Sequence, residues 1–266
     1  MTRFLGRLSG LALAMAVLPV ASAAAKPITL TYLGYLAGFP VLQMTAQADL
    51  PVGANGDVTD GVYGLNANIV TQGSLATLYP YRSSVSANGR LAGGRAQPTQ
   101  FHSEGQIMSS TESVTLTYGT NGKVAIKAVP LTRQAQEAAA QGTANGTIDP
   151  ASLVLAVIAG YAEKQSCTGS YKLFDGVRRY DVNVTEIGTG TVQMYKRSFY
   201  QGPAVECQAV PQLIQGFAQM AVESKLYPES ANIWLADAVQ GMPALPVRIE
   251  TQNALGKMVF DLIGVQ

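Results

Sequence analysis

Histidine occurs once in this chain of 266 residues, at His102, and only 13% of the residues are charged. A lone histidine excludes zinc centres built on several imidazoles. The sequence has no G-x-S-x-G elbow, no H-E-x-x-H pair and no glycine-rich phosphate loop, which removes the motif-bearing hydrolases, metalloproteases and nucleotide enzymes. Asp57 and Asp60 are three apart but lack the fuller ligand run of a calcium loop. Glu104, Glu112 and Glu186 stand apart, so no pair is placed about a bond to be cleaved. A Ser-His-Asp relay assembled in space around His102 remains the enzymatic alternative, because such relays are recognised by geometry. Lysine and arginine number 18 against 17 acids. That balance offers no basic stripe for nucleic acid and no polybasic attraction to anionic lipid.

Long apolar runs are also missing, apart from one near the start. Arg3 and Arg7 precede the run Leu8 to Val20, which ends in Ala21-Ser22-Ala23 and Ala23-Ala24-Ala25. A basic segment, a short apolar core and a small-residue exit make a signal peptide over residues 1–25, cleaved after Ala23 or Ala25. The run is too short to span a bilayer. The expectation is an exported periplasmic protein, not an integral membrane protein, with residues 26–266 forming one β domain.

The two cysteines, Cys167 and Cys207, fit that compartment as a disulfide. The rival readings are a redox pair and a metal site. Redox pairs usually sit as C-x-x-C, and His102 is the only imidazole that could complete a metal set. Closing a loop of this length contributes roughly 4 kcal/mol in the chain-entropy account.

Apolar residues alternate at period two through most of the chain. Leu42, Met44, Ala46, Ala48 and Leu50 form one set, and Tyr63, Leu65, Ala67 and Ile69 another. Val114, Leu116 and Tyr118, then Met258, Phe260 and Leu262, repeat the pattern. This is the signature of antiparallel strands with one face buried. Asn121-Gly122, Asn88-Gly89 and Asp175-Gly176 read as hairpin turns, and Asn55-Gly56 as a looser one. Gly188-Thr189-Gly190 and Asn253 to Gly256 read as longer hairpin loops. The predicted fold is mainly β, a curled antiparallel sheet of ten or more strands, either a spiral β-roll or an incomplete β-barrel.

Helix signals are few. Leu131 to Gln141 is rich in alanine and glutamine and reads as a short polar helix. Asp149-Pro150 supplies an N-cap and an N1 proline for Ala151 to Ala162, which is apolar nearly all round and must be buried. Leu213 to Val222 is a weaker helical stretch. Met44, Met194, Met220, Met242 and Met258 fall at expected apolar positions, where methionine adapts to irregular neighbours.

Between the cysteines runs Phe174-Asp175-Gly176-Val177-Arg178-Arg179-Tyr180-Asp181. On a strand Arg178 and Arg179 point to opposite faces and cannot form one clamp without a bulge, while Asp181 shares a face with Arg179. The structural reading is a hairpin with Tyr180 packed inward. The functional reading is a polar recognition surface of Arg178, Arg179 and Asp181, with the arginines donating to an anion.

This stretch resembles the motif of a family of exported proteobacterial proteins known as a domain of unknown function. The likeness includes Asp149-Pro150-x-Ser152-Leu153, Cys167, Tyr200, Cys207, Pro211, Gly216, Trp234 and Pro246-Val247-Arg248-Ile249. Upstream, Ser86-x-x-Gly89 and Pro98-x-x-Phe101 look like the family's strand pair, where tyrosine is more usual than Phe101. The resemblance implies a periplasmic curled sheet with a bridge between the cysteines, similar to the half-barrels that carry lipids or lipoproteins. It carries no catalytic residues.

The functional expectation is a non-enzymatic envelope protein that binds an apolar or amphipathic envelope molecule in the curled sheet and supports envelope integrity. The helix after Asp149 would serve as plug or lid. No cofactor and no metal are expected. The alternative is a structural or adaptor protein with a filled barrel that binds another envelope protein, and a third reading is an exported hydrolase.

Overall fold

Alternation along the chain becomes one continuous meander. The structure, a computed structural model, describes residues 25–266, so the expected signal peptide lies outside the described residues apart from Ala25, which begins the first strand. Seven strands come first: β1 (Ala25–Leu36), β2 (Phe39–Pro51), β3 (Gly61–Thr71), β4 (Tyr81–Ala92), β5 (Arg95–Ile107), β6 (Ser110–Tyr118) and β7 (Val124–Val129), with a short helix α1 (Gly73–Leu78) between β3 and β4. Two helices follow, α2 (Arg133–Gln141) and α3 (Pro150–Lys164). The chain then runs through β8 (Gly169–Phe174), β9 (Arg179–Val192), β10 (Gly202–Gln215), α4 (Gln219–Glu223), β11 (Ala231–Ala236), β12 (Leu245–Asn253) and β13 (Gly256–Val265).

All 13 strands belong to one antiparallel sheet that does not close, ordered β7-β6-β5-β4-β3-β2-β1-β13-β12-β11-β10-β9-β8. The two ends of the chain meet at its centre through β1 and β13, with Leu30 opposite Val265. Its edges are β7 and β8, and the segment between them in sequence is the helical one. Open edges invite unwanted pairing. Here Ile148 pairs with the free edge of β8 beside Leu173, and α2 lies along β7.

Helix α3 packs against β4 and β5 in one half of the sheet and against the edge strand β8 in the other. Asp149 caps it, accepting from the Ser152 N–H at 2.8 Å, and Pro150 occupies the first turn, where its missing N–H costs nothing. One flank of α3, with Ala151, Leu155, Ile158 and Ala159, packs into the core under β4 and β5. Val157 faces a second cluster with Leu173, Val182, Val184 and the Cys167–Cys207 disulfide. An apolar helix therefore serves as core for both halves of the sheet.

Several turns differ from expectation. Asn88-Gly89 lies inside β4, and the hairpin is Gly93-Gly94. Glycine is needed at 89 because a Cβ there would stand 2.5 Å from the Tyr63 hydroxyl oxygen. Gly188-Thr189-Gly190 lies inside β9, where Gly190 makes room for the Trp234 ring. Asn121-Gly122 does turn the chain, but within a connection spanning 119–123. Leu213 to Gln215 continues β10, so the helix expected from Leu213 shrinks to α4. Met194 and Met220 are exposed, not core, because both sit on connections and not on strands.

Candidate functional site

The Phe174 to Asp181 stretch forms the β8–β9 hairpin, and its turn is held by its own aspartate. Asp175 Oδ1 accepts from the N–H groups of Val177 and Arg178 at 3.0 and 2.7 Å, and Oδ2 accepts from Arg178 Nε at 2.7 Å. Such a turn suits aspartate, whose side chain bonds the backbone two or three residues on. Gly176 has φ +104°, and a Cβ on it would lie 2.5 Å from Val114 on β6. The hairpin tip therefore reaches across the opening of the sheet and rests on the far half.

Arg178 and Arg179 part company, as strand geometry requires. Arg178 pairs with Asp175 and lies over the Tyr227 ring, 5.7 Å from its centroid. Burial works against its charge, but the Asp175 carboxylate outweighs that and keeps the guanidinium protonated. Arg179 donates to Asp181 Oδ1 at 2.5 Å and to the Tyr180 carbonyl at 2.7 Å. The structure thus does not bring Arg178, Arg179 and Asp181 into one cluster.

Two cavities adjoin this hairpin. The larger, about 560 Å³, lies on the inner face of β4, β5 and β6 and is lined by Val85, Phe101, Ser103, Val114 and Pro150. The smaller, about 330 Å³, is lined by Leu153, Leu173, Val182, Leu213 and Phe217. Asp175, Arg178 and Tyr180 line both. Tyr180, Phe217 and Tyr227 meet edge to face, with centroids 6.0 and 5.0 Å apart, the arrangement aromatic quadrupoles favour. Burial pushes the Tyr180 hydroxyl above its usual range, so it stays a neutral donor. A concave, mostly apolar space with a few fixed polar groups is the usual form of a small-molecule site.

Behind the cavities lies a buried polar chain that sequence reading missed. Tyr63 meets Ser152 Oγ at 2.7 Å, and Ser152 Oγ donates to Asp149 Oδ2 at 2.6 Å. Asp149 and Ser152 are fully buried. Loss of hydration lifts the Asp149 carboxyl above the ordinary carboxylate range, and the Ser152 donors oppose that lift. The Tyr118 hydroxyl, buried beside Asp149, is pushed up by burial and then by the Asp149 charge. Asp149 before Pro150 was a visible capping signal, whereas nothing local pointed to Tyr63.

His102 is on β5, in register with Ser86 and Thr115, and its Nδ1 lies 3.0 Å from Thr115 Oγ1. It does not line either cavity. Among the described residues no group of three or more histidine, cysteine, aspartate or glutamate side chains could hold a metal ion, and no helix is long and apolar enough to cross a membrane. The disulfide is consistent with an extracytoplasmic protein.

Sheet, plug helix and hairpin together define an open, barrel-like antiparallel roll. Residues 29–263 match the family described as protein of unknown function DUF3108, and the chain belongs to that family. No curated protein matches it. Among solved structures it is similar to the β-barrel-like protein of domain of unknown function DUF1849 from Brucella abortus, with a TM-score of 0.53 at 12% identity over 92% of this chain and 98% of that one. A likeness at that identity speaks for the fold alone. A putative lipoprotein from Parabacteroides distasonis aligns over 92% of this chain and 96% of its own, at 11% identity and a TM-score of 0.37.

Proposed function

We propose that this is a non-enzymatic periplasmic protein of the cell envelope that takes an apolar or amphipathic envelope molecule into the concave side of its sheet. The observation that carries the reading is the pair of cavities sharing the Asp175–Arg178–Tyr180 ridge. An acyl-like portion would lie against Val85, Phe101 and Val114 or against Leu173, Val182 and Phe217. A polar head would meet Arg178, the ridge's cation. Helix α3 seals the interior behind Pro150, so a ligand enters beside the hairpin and does not thread the roll.

Native mass spectrometry of protein purified from periplasm without detergent, followed by lipid extraction, tests this. The expected result is a retained species on the order of several hundred daltons, released on unfolding, which suits cavities of this size. A clean apo mass together with no uptake of a fluorescent fatty acid would overturn the reading and favour the adaptor alternative.

A further inference from the structure

Because neighbouring strands are antiparallel, the connections after β1, β3, β5, β8, β10 and β12 share one end of the roll, and β7 exits there too. Turn tips are ordinarily glycine, asparagine, aspartate or serine. Three connections at the opposite end obey that rule, with Asn55-Gly56, Gly93-Gly94 and Asn121-Gly122. The longer 193–201 connection, with Met194 and Phe199 exposed, folds back over the outer face to reach the Gly38 carbonyl through Lys196. At the first end six of the seven exits carry an exposed apolar residue, the Asp175-Gly176 tip of β8–β9 being the exception. Phe39, Leu78, Met108, Leu131, Met220 and Leu255 are between 59% and 77% exposed, each on a different connection.

These connections touch in sequence around the rim. Ala37 N–H donates to the Lys257 carbonyl, Gln72 N–H to Val41, Met108 N–H to Pro80 and Ala254 N–H to Lys225. Arg178 over Tyr227 joins the β8–β9 tip to the α4 connection, and Gly176 against Val114 closes the circuit. The two cavities open within this ring. Single exposed apolar residues are normal, but one on each of six connections around a single opening is a pattern that marks an interaction surface.

We propose that this rim docks the protein on a lipid bilayer surface, with the cavity mouth toward the membrane. The apolar side chains stand on separate tips around an opening and do not form one flat face. A fluid monolayer can receive separated prongs, whereas a rigid partner would have to fit each of them. The rim's charges are largely paired with one another: Lys225–Glu229 on the α4 connection, Arg133–Glu137 beside Leu131, Lys257–Glu250 beside Leu255, and Arg178 with Asp175. Binding therefore comes from apolar insertion and not from attraction to anionic lipid. The docking does not rest on the cavity's taking a ligand, since it would hold with an empty interior.

The test is flotation of the leader-free chain with vesicles of phosphatidylethanolamine and phosphatidylglycerol, and with phosphatidylcholine alone, at low and high salt. The protein is expected to float with both, unaffected by salt. The pairs Phe39→Ser/Leu255→Ser and Met108→Ser/Met220→Ser should each weaken partitioning by about tenfold or more, while Val62→Ser, at the opposite end where β3 begins, changes nothing. The two pairs lie on different connections, so instability in one leaves the other to read the same surface. Failure to float, unchanged flotation of both pairs, or flotation confined to anionic vesicles at low salt would overturn the proposal. So would a dimer, seen by sedimentation velocity, that both pairs dissolve. Retained ligand mass measured on the same variants reports on the cavity separately.

Discussion

Ser152 Oγ donates to Asp149 Oδ2 at 2.6 Å, and both residues are wholly buried at the start of α3. The carboxyl is raised by burial, so the folded state holds its proton more tightly than the unfolded chain. Its contribution is fully present below the ordinary carboxyl value of about 3.9 and is lost as pH rises through the raised folded value. Asp149→Asn keeps an acceptor for the Ser152 N–H but removes the titration. Thermal melts from neutral to mildly acid pH should show the native protein gaining on the Asn variant as pH falls. A constant gap at every pH would sink this assignment. Asp149→Ala is expected to cost about 2–4 kcal/mol at neutral pH, from the lost cap and from hydroxyls left unpaired.

Gly176 needs both its positive φ and its lack of a Cβ, which would press on Val114. Gly176→Ala is expected to destabilise by about 1–3 kcal/mol. Combining it with Val114→Ala should recover the part due to contact and leave the part due to backbone strain. Urea melts on the four members of this cycle measure the coupling, and strict additivity would mean that the hairpin tip does not bear on β6.

Arg248 Nε lies 2.6 Å from Asp261 Oδ1 on the outer face of β12 and β13, and Asp261 is fully buried there. Residues 193–201 cover the pair, with Arg248 also donating to the Gln193 carbonyl at 2.9 Å. Arg248→Met would leave a buried unpaired carboxylate and cost about 3–5 kcal/mol. Arg248→Met with Asp261→Leu should restore most of that loss in chemical denaturation. If the double variant is as unstable as the single one, the ion pair is not what holds this face together.

Ser103 lines the larger cavity. Ser103→Trp would fill space that a ligand needs without removing any contact of the core. Uptake of a fluorescent fatty acid is expected to fall at least about tenfold, with melting little changed. Undiminished uptake would place the ligand elsewhere.

Much of the β character was legible because a period of two is local. Each strand announces which of its own faces is apolar, as Tyr63, Leu65, Ala67 and Ile69 do on β3. The buried helix after Asp149 was legible for the same reason, since cap, proline and apolar run are adjacent in sequence. Turns were less legible where a glycine serves a distant side chain. Gly89 accommodates Tyr63 and Gly190 accommodates Trp234, so glycine there marks close approach and not a turn.

The site divides along the same line. The Asp175 turn, the opposed directions of Arg178 and Arg179 and the proximity of Asp181 to Arg179 follow from neighbours a few residues apart. By itself, then, the sequence determined the antiparallel strands, the apolar helix and the self-paired hairpin, because each rests on short-range geometry. Only the tertiary structure decided that α3 packs between β4–β5 and β8, that Tyr63 reaches Ser152, and that Asp261 is covered on the outer face. It also decided that apolar turn tips gather at the cavity end. Those facts depend on how a 13-stranded sheet curls and which connections it brings together, and no local pattern encodes the curl.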